Sequence, residues 1–349
     1  MAQELTSLRS DIVWAVDPFN NDETLLRAAA WTIKTLVKGT GRTVRPVFIW
    51  GLQVSRFPTL KIGQARIIEM QIRGQQAMTD ILSSMQIEGL APLTVRTCAY
   101  DGIRSCTHEL VALARKQSAG LIVVATQSRR GVSRLVLGSF AETLVLSSEV
   151  PVFVIHPTRR RTPEFKSILL PTDFSDSLGP CLAQVLDMAT SRKARIFLYH
   201  KVGSDRWPTV GNIFAATGEK RTAGHNAQVR MARIRALPWI RLAKKRGVTV
   251  ELVLERKPEG SLAHSIVAEA IRRHCMVALA SRTGGRSTFL MGSTIRKLVR
   301  ECQSPVWILH PKLSEGSARM PKSRRSLYRL EVQDVAQDLH EVPIELGTV

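Results

Sequence analysis

Cysteine is scarce in this chain, and its few thiols are not spaced for metal binding. Cys98, Cys106, Cys181, Cys275 and Cys302 are odd in number, and no two form a CxxC pair. That argues against a disulfide framework or a structural zinc site, and it suits a reducing, cytoplasmic compartment. Long apolar runs are missing as well. Nowhere do about 18 apolar residues follow one another, so no membrane span is expected. The opening "MAQELTSLRSD" has no apolar h-region, so no signal peptide is expected either. The chain also lacks a GxSxG elbow, a GxxxxGK[ST] loop and an HExxH helix. With no nucleophile–base pair in view, the residues point away from an enzyme.

Acidic residues are few beside the basic ones, 29 against 50 in 349 residues. The imbalance is uneven: residues 1–158 carry a net +5, residues 159–312 a net +17, and the tail 313–349 a net −1. Arg230, Arg233, Arg235, Arg241, Lys244, Lys245 and Arg246 crowd one stretch of the second half. Such a field attracts polyanions, but it also describes a solvated helix face. Aromatic residues are only 5% of the chain, and Trp239 alone interleaves the basic run. A nucleic-acid binder would be expected to offer more stacking surface, so that reading stands behind the others.

The chain repeats itself. "IVVATQSRRGVSRLVLGSFAETLVLSSEVPVFVIHP" (Ile122–Pro157) lies over "MVALASRTGGRSTFLMGSTIRKLVRECQSPVWILHP" (Met276–Pro311) without a gap, 154 residues apart. The two agree at Val123, Gly131, Ser133, Gly138, Ser139, Leu144, Val145, Pro151, Val152, His156 and Pro157. Each copy reads as a buried strand, a polar glycine-bearing loop, a helix starting near Gly-Ser and a second apolar strand. Upstream, each half alternates short strands with amphipathic helices, the pattern of a parallel α/β sheet. Asp17 and Asp173 close the two first strands, 156 residues apart.

The expected domains are therefore 1–158 and 166–312, with the linker 159–165 and the tail 313–349. Helices are expected at 176–191, capped by Ser175, and at 226–246, interrupted at Pro238. Pro46 sits awkwardly in the strand "VRPVFIW". In the tail, Tyr328, Val332, Val335, Leu339 and Val342 would make one apolar stripe if that stretch were helical.

These features resemble the universal stress protein family in its tandem form, over about residues 11–157 and 166–311. The carriers are "LLPTDFSDS", where a first strand ends in Asp, and the loop-plus-helix phrase with "GS" ahead of a Pro-Val strand. The resemblance implies two tandem five-stranded parallel-sheet domains, Rossmann-like and of the adenine-nucleotide alpha hydrolase-like kind. It also implies a non-catalytic stress-response factor, with ATP or another adenine nucleotide, and any accompanying Mg, as the ligand where a site is kept. Family members with that site carry G-x-x-G, nine residues, then G-S or G-T. Here the first copy reads Ala125-x-x-Ser128, nine residues, Gly138-Ser139. The second reads Leu279-x-x-Arg282, nine residues, Gly292-Ser293, and a one-residue shift would substitute Ala280 and Thr283. Both registers stay open at this point.

Small residues admit backbone N–H groups to a phosphate, and a helix start offers a positive dipole end. By resemblance, Asp17 and Asp173 would lie near the adenine and the Gly-Ser pairs near the phosphates. The plainer reading is that the aspartates cap turns and Ser139 and Ser293 cap helices. Family members that bind no nucleotide and work through protein contacts keep that reading open. The last strands, Pro151–Ile155 and Pro305–Leu309, carry no charge. Edges so apolar need covering or pairing, and they are the expected interface between the two domains or between two chains.

Overall fold

The computed structural model describes residues 11–20, 23–51, 64–82, 85–98, 102–126, 139–156, 165–175, 178–202, 218–256, 260–280, 292–310 and 344–346. The first repeat runs β1 (Ile12–Ala15), α1 (Glu23–Val37), β2 (Val44–Gly51), α2 (Gln64–Leu82), β3 (Thr94–Cys98), α3 (Ile103–Lys116), β4 (Leu121–Ala125), α4 (Ser139–Ser147) and β5 (Val152–Ile155). The second runs β6 (Ser167–Pro171), α5 (Gly179–Arg192), β7 (Arg195–Lys201), α6 (Gly218–Lys245), β8 (Val250–Glu255), α7 (Leu262–Arg272), β9 (Met276–Ala280), α8 (Gly292–Glu301) and β10 (Val306–Leu309). A last short strand, β11 (Ile344–Leu346), closes the series.

Periodicity accounts for these elements. In α1 the residues Leu25, Leu26, Ala29, Ala30, Ile33, Leu36 and Val37 recur at helical spacing and are all buried, while Trp31 on the opposite face is 45% exposed. Each large apolar side chain so buried contributes about 1.5–3 kcal/mol. Several strands show no alternation: β5, β9 and β10 are buried at every position. That is the signature of strands covered on both faces.

The chain forms two compact units. One comprises Met1–Glu164, Leu279–Gly284 and Gly292–Leu313, and the other Phe165–Ala278, Gly285–Met291 and Ser314–Val349. In the first unit the strand order is β10-β5-β4-β1-β2-β3. Its strands are parallel except β10, which runs antiparallel to β5 with Val306 opposite Val154, Trp307 opposite Phe153 and Ile308 opposite Val152. In the second unit, which includes Met276–Ala278 of β9, the order is β11-β8-β7-β6-β9, parallel throughout. Each repeat thus starts at a central strand, steps outward twice, then returns to the other side of that strand. The order reverses between β1 and β4 in the first repeat and between β6 and β9 in the second.

Several local expectations change. Pro46 lies inside β2 opposite Trp14, but pairing with β3 begins only at Val47. Val44 donates to Gly89 O on the β3 side, so Pro46, two residues on, turns its missing donor toward a stretch that precedes the β3 ladder. α6 is continuous through Pro238, whose ring is exposed while Ala236, Leu237 and Trp239 beside it are buried. Packing of that face outweighs one lost helix bond. α5 begins at Gly179 with Pro180 in its first turn, and Ser175 is held in a turn before it. The tail stripe from Tyr328 to Val342 and the 159–164 part of the linker lie outside the described residues.

Candidate functional site

The first repeat brings two of its expected site residues to the reversal point of a single unit. β1 and β4 are neighbours, with Ile12 opposite Leu121 and Ala15 opposite Val124. Asp17 follows the end of β1, and Ala125 is the last residue of β4. Asp17 Oδ1 accepts a hydrogen bond from the Phe19 amide at 3.0 Å, which closes an aspartate turn. The Phe19 ring packs edge-on against Phe48 at 5.5 Å. Asp17 is exposed at its outer side, yet lost hydration raises its carboxyl above the usual carboxylate range, with the Phe19 amide opposing the shift. Ala125 is half-buried, and α4 starts at Ser139. Ser128 and Gly138 lie outside the described residues.

The second repeat reproduces the turn. Asp173 Oδ1 accepts from the Ser175 amide at 2.9 Å, and Thr172 Oγ1 accepts from the Phe174 amide at 2.9 Å. Ile168 stands opposite Met276 and Leu169 opposite Val277. Counting from each aspartate, Ala280 therefore occupies the point that Ala125 occupies in the first repeat. Leu279 corresponds to Val124 and is a fully buried strand residue. The loop from Ala280 to Gly292 is one residue shorter than the loop from Ala125 to Gly138. Arg282 lies outside the described residues, Ser293 is exposed, and Gly292 opens α8. Asp173 belongs to the second unit, whereas Ala280, Gly292 and Ser293 belong to the first. Among the described residues, Asp17, Ala125 and Ser139 of the first set fall within one unit.

Past the strands, two histidines are buried. His156 Nδ1 lies 3.0 Å from Thr126 Oγ1, and burial pushes its pKa down to about 4, with the Val299 backbone opposing. His310 is likewise pushed down to about 4 by burial, and neither of its ring nitrogens meets a hydrogen-bond partner among the described residues. Both imidazoles are neutral side chains in the apolar interior near neutral pH. Among the described residues no group of three or more His, Cys, Asp or Glu could hold a metal ion.

One polar cluster escaped the sequence reading. Lys201, 2% exposed at the end of β7, donates to Gly260 O at 3.0 Å and Ser265 Oγ at 3.4 Å, and lies 3.8 Å from Glu255 Oε1. Tyr199 donates its phenol proton to Glu255 Oε2 at 2.5 Å, and Ser265 donates to Glu255 Oε1 at 3.1 Å. Burial first, and Glu255 next, hold the Tyr199 phenol well above its ordinary pKa. The signal in sequence is "YHK", three polar-tipped residues closing an apolar strand. The basic run lies on α6, where Arg230, Arg235, Lys244 and Lys245 are exposed; just past its end, Arg246 donates from Nη1 to Asp187 Oδ1 at 2.6 Å. Trp239 is buried there and packs edge-on against Phe174 at 5.7 Å. It offers no face on which a base could stack.

Comparison with known proteins agrees with this architecture. The sequence profile of the universal stress protein family matches twice, at residues 9–156 and 164–310. A universal stress protein of Methanocaldococcus jannaschii is 29% identical over 87 residues, covering 25% of this chain and 48% of that protein, so the chain spans about half the length of that relative. The crystal structure of a universal stress protein from Archaeoglobus fulgidus is similar over 87% of this chain and 97% of its own, with a TM-score of 0.57 at 15% identity. A Pseudomonas aeruginosa protein described as functionally unknown is similar over 88% of this chain and 95% of its own, with a TM-score of 0.53 at 14% identity.

Proposed function

On the premise that this chain belongs to the universal stress protein family, which the double match over most of its length establishes, we propose that it is a non-catalytic stress-response factor that binds an adenine nucleotide weakly in its first repeat. The observation that carries this reading is the neighbouring of β1 and β4, with Asp17 and Ala125 just beyond their carboxyl ends. Ligands of open α/β sheets sit at such a reversal point. Two described features support this reading: Ala125 is small and half-buried, and α4 opens at Ser139, where a helix start offers backbone N–H groups to an anion. In this reading Asp17 addresses the adenosine end, while Ser128, Gly138 and Ser139 hold the phosphates, with Mg as their counter-ion. The second set is the weaker candidate, since its loop is a residue short. The cytoplasm is the proposed location.

A second reading keeps the protein nucleotide-free and working through protein contacts. It is favoured by the turns at Asp17 and Asp173, each of which already occupies one carboxylate oxygen. Gently denatured purified protein separates the two by mass spectrometry, because released ATP or AMP requires an occupied crevice. Calorimetry with Gly138→Glu adds a second arm. Bulk and negative charge at a helix start built for an anion should lower ATP affinity by about tenfold or more. Equal affinity would place binding elsewhere, and no binding to either form would favour the nucleotide-free reading. The β5–β10 pairing is the proposed seam through which one chain supplies both of its last strands.

A further inference from the structure

Two cysteines that the sequence separates by seven residues meet in the first unit. Cys98 ends β3 and Cys106 lies in the first turn of α3, with their sulfurs 2.9 Å apart. Both are reduced in this structure. Cys98 is 3% exposed and lies 3.8 Å from Trp50 O, whereas Cys106 is half-buried. The Cys106 amide donates to Gly102 O at 3.1 Å, which sets the residue in the first turn of the helix, on the more accessible side of the pair. The other three cysteines are a built-in contrast. Cys181, Cys275 and Cys302 are buried thiols whose pKa values burial pushes up to about 12, about 12 and about 11. No third metal-ligating group joins the pair among the described residues, so the arrangement does not build a metal site.

We infer that Cys98 and Cys106 form a reversible disulfide, with hydroperoxides as the oxidant, and that this corner of the first repeat is a redox-responsive modification site. The order of events follows from exposure. The Cys106 thiolate attacks a peroxide oxygen: an S–O bond forms, the O–O bond breaks, and the departing oxyanion takes up a proton. The Cys98 thiolate then attacks the sulfenic sulfur. An S–S bond forms, the S–O bond breaks, and hydroxide leaves to become water on protonation. Two thiols and one hydrogen peroxide yield one disulfide and two waters, with two electrons passing from sulfur to oxygen. A short loop closed by two sulfurs already in contact needs little backbone movement, and transient disulfides of this kind are the ones found in reducing compartments.

The test uses the full-length protein, fully reduced and then exposed to hydrogen peroxide. Samples are quenched with an alkylating reagent, and peptides are mapped by mass spectrometry with and without prior reduction. The expected result is a single intramolecular link between Cys98 and Cys106, undone by dithiothreitol. It should form about tenfold or more faster than thiols are lost at Cys181, Cys275 or Cys302. Cys98→Ser should leave Cys106 as a sulfenic acid trappable by a 1,3-dione, whereas Cys106→Ser should slow oxidation of Cys98 to the rate of the buried three. Thiol loss at one common rate, a link to any other cysteine, or over-oxidation of Cys106 in the wild type without a link would overturn the proposal.

Discussion

The corner where the third strand of a repeat turns into the next helix is built twice, with one backbone plan and two chemistries. Registers place Val47 with Tyr199, Ile49 with Lys201, and Arg96 with Glu255. The fourth residue of the following helix is Cys106 in one case and Ser265 in the other, and each donates its amide to the residue four before it at 3.1 Å. In the first repeat that helix position faces another sulfur. In the second it faces a carboxylate and a buried ammonium. The scaffold tolerates either because the strand registers and the helix start are set by main-chain bonds and apolar packing. The side chains at this edge are free to diverge toward reactivity or toward ion pairing.

The largest effect is expected where the repeats pair rather than differ. Val152 and Val306 are fully buried in the paired strands β5 and β10. Val152→Lys with Val306→Lys would set two ammonium groups in a dry seam without partners, at a cost of about 5 kcal/mol or more. Ile72→Lys, at a residue 62% exposed, should change stability by less than about 0.5 kcal/mol. Urea unfolding measures both. A double variant as stable as the wild type would show that these strands are not packed together in solution.

Next in size is the divergent corner itself. Lys201→Met leaves the half-buried Glu255 with Tyr199 and Ser265 as its side-chain partners among the described residues, and breaking so buried a pair costs about 3 kcal/mol. Ile49→Met at the matched point should cost less than about 1.5 kcal/mol. Adding Glu255→Gln to Lys201→Met should recover part of the loss, because the uncompensated charge goes with it. Equal losses for Lys201→Met and Ile49→Met would mean that the network adds nothing beyond packing.

Much of this was legible from residues alone. The repeat, the α/β alternation and the aspartate at each first strand's end followed from period, glycine placement and apolar runs, because parallel strands buried on both faces leave that mark. The register of the second copy did not follow. Eleven identities favour an ungapped match while a one-residue deletion in the loop is equally open, and the pairing of Ile168 with Met276 places Ala280 where Ala125 stands. The two polar corners were hidden for another reason. Cys98 with Cys106, and Lys201 with Glu255, come together through a strand-to-helix turn and a sheet register, and no local spacing encodes either contact. Ser175 looked like a helix cap because it precedes an acidic and apolar stretch, but the turn at Asp173 claims its amide.

Acid offers a third comparison, between the matched histidines. His156 and His310 have pKa values of about 4 in the folded protein against 6.5 for an unperturbed imidazole. The unfolded chain therefore binds more protons between those values, so stability should fall as pH drops from about 6.5 to about 4, and no further below that on their account. At about 1.4 kcal/mol per pKa unit, each histidine accounts for up to about 3 kcal/mol of that loss. His310→Leu should flatten the slope without weakening the protein at neutral pH, since neither ring nitrogen has a partner to lose. His156→Leu should flatten it too, but at a neutral-pH cost of about 1 kcal/mol for the Thr126 hydroxyl left behind. Stability independent of pH across this window would show that both rings keep access to water.

The smallest effects should separate turn-making from ligand binding at the paired aspartates. Asn keeps a carbonyl oxygen that can accept the Phe19 or Ser175 amide, whereas Ala keeps nothing. Asp173→Asn should leave stability unchanged within about 0.5 kcal/mol, and Asp173→Ala should cost about 1 kcal/mol. Asp17→Asn should be neutral or slightly stabilising at neutral pH, because the folded state raises that carboxyl's pKa and so disfavours its charge. If the first crevice holds a nucleotide through the Asp17 carboxylate, Asp17→Asn should lower ATP affinity severalfold while melting stays where it was. Asp173→Asn should then change neither. Matching losses of affinity in both variants would show two equivalent sites, and loss of stability in both without any change in affinity would reduce the aspartates to turn formers.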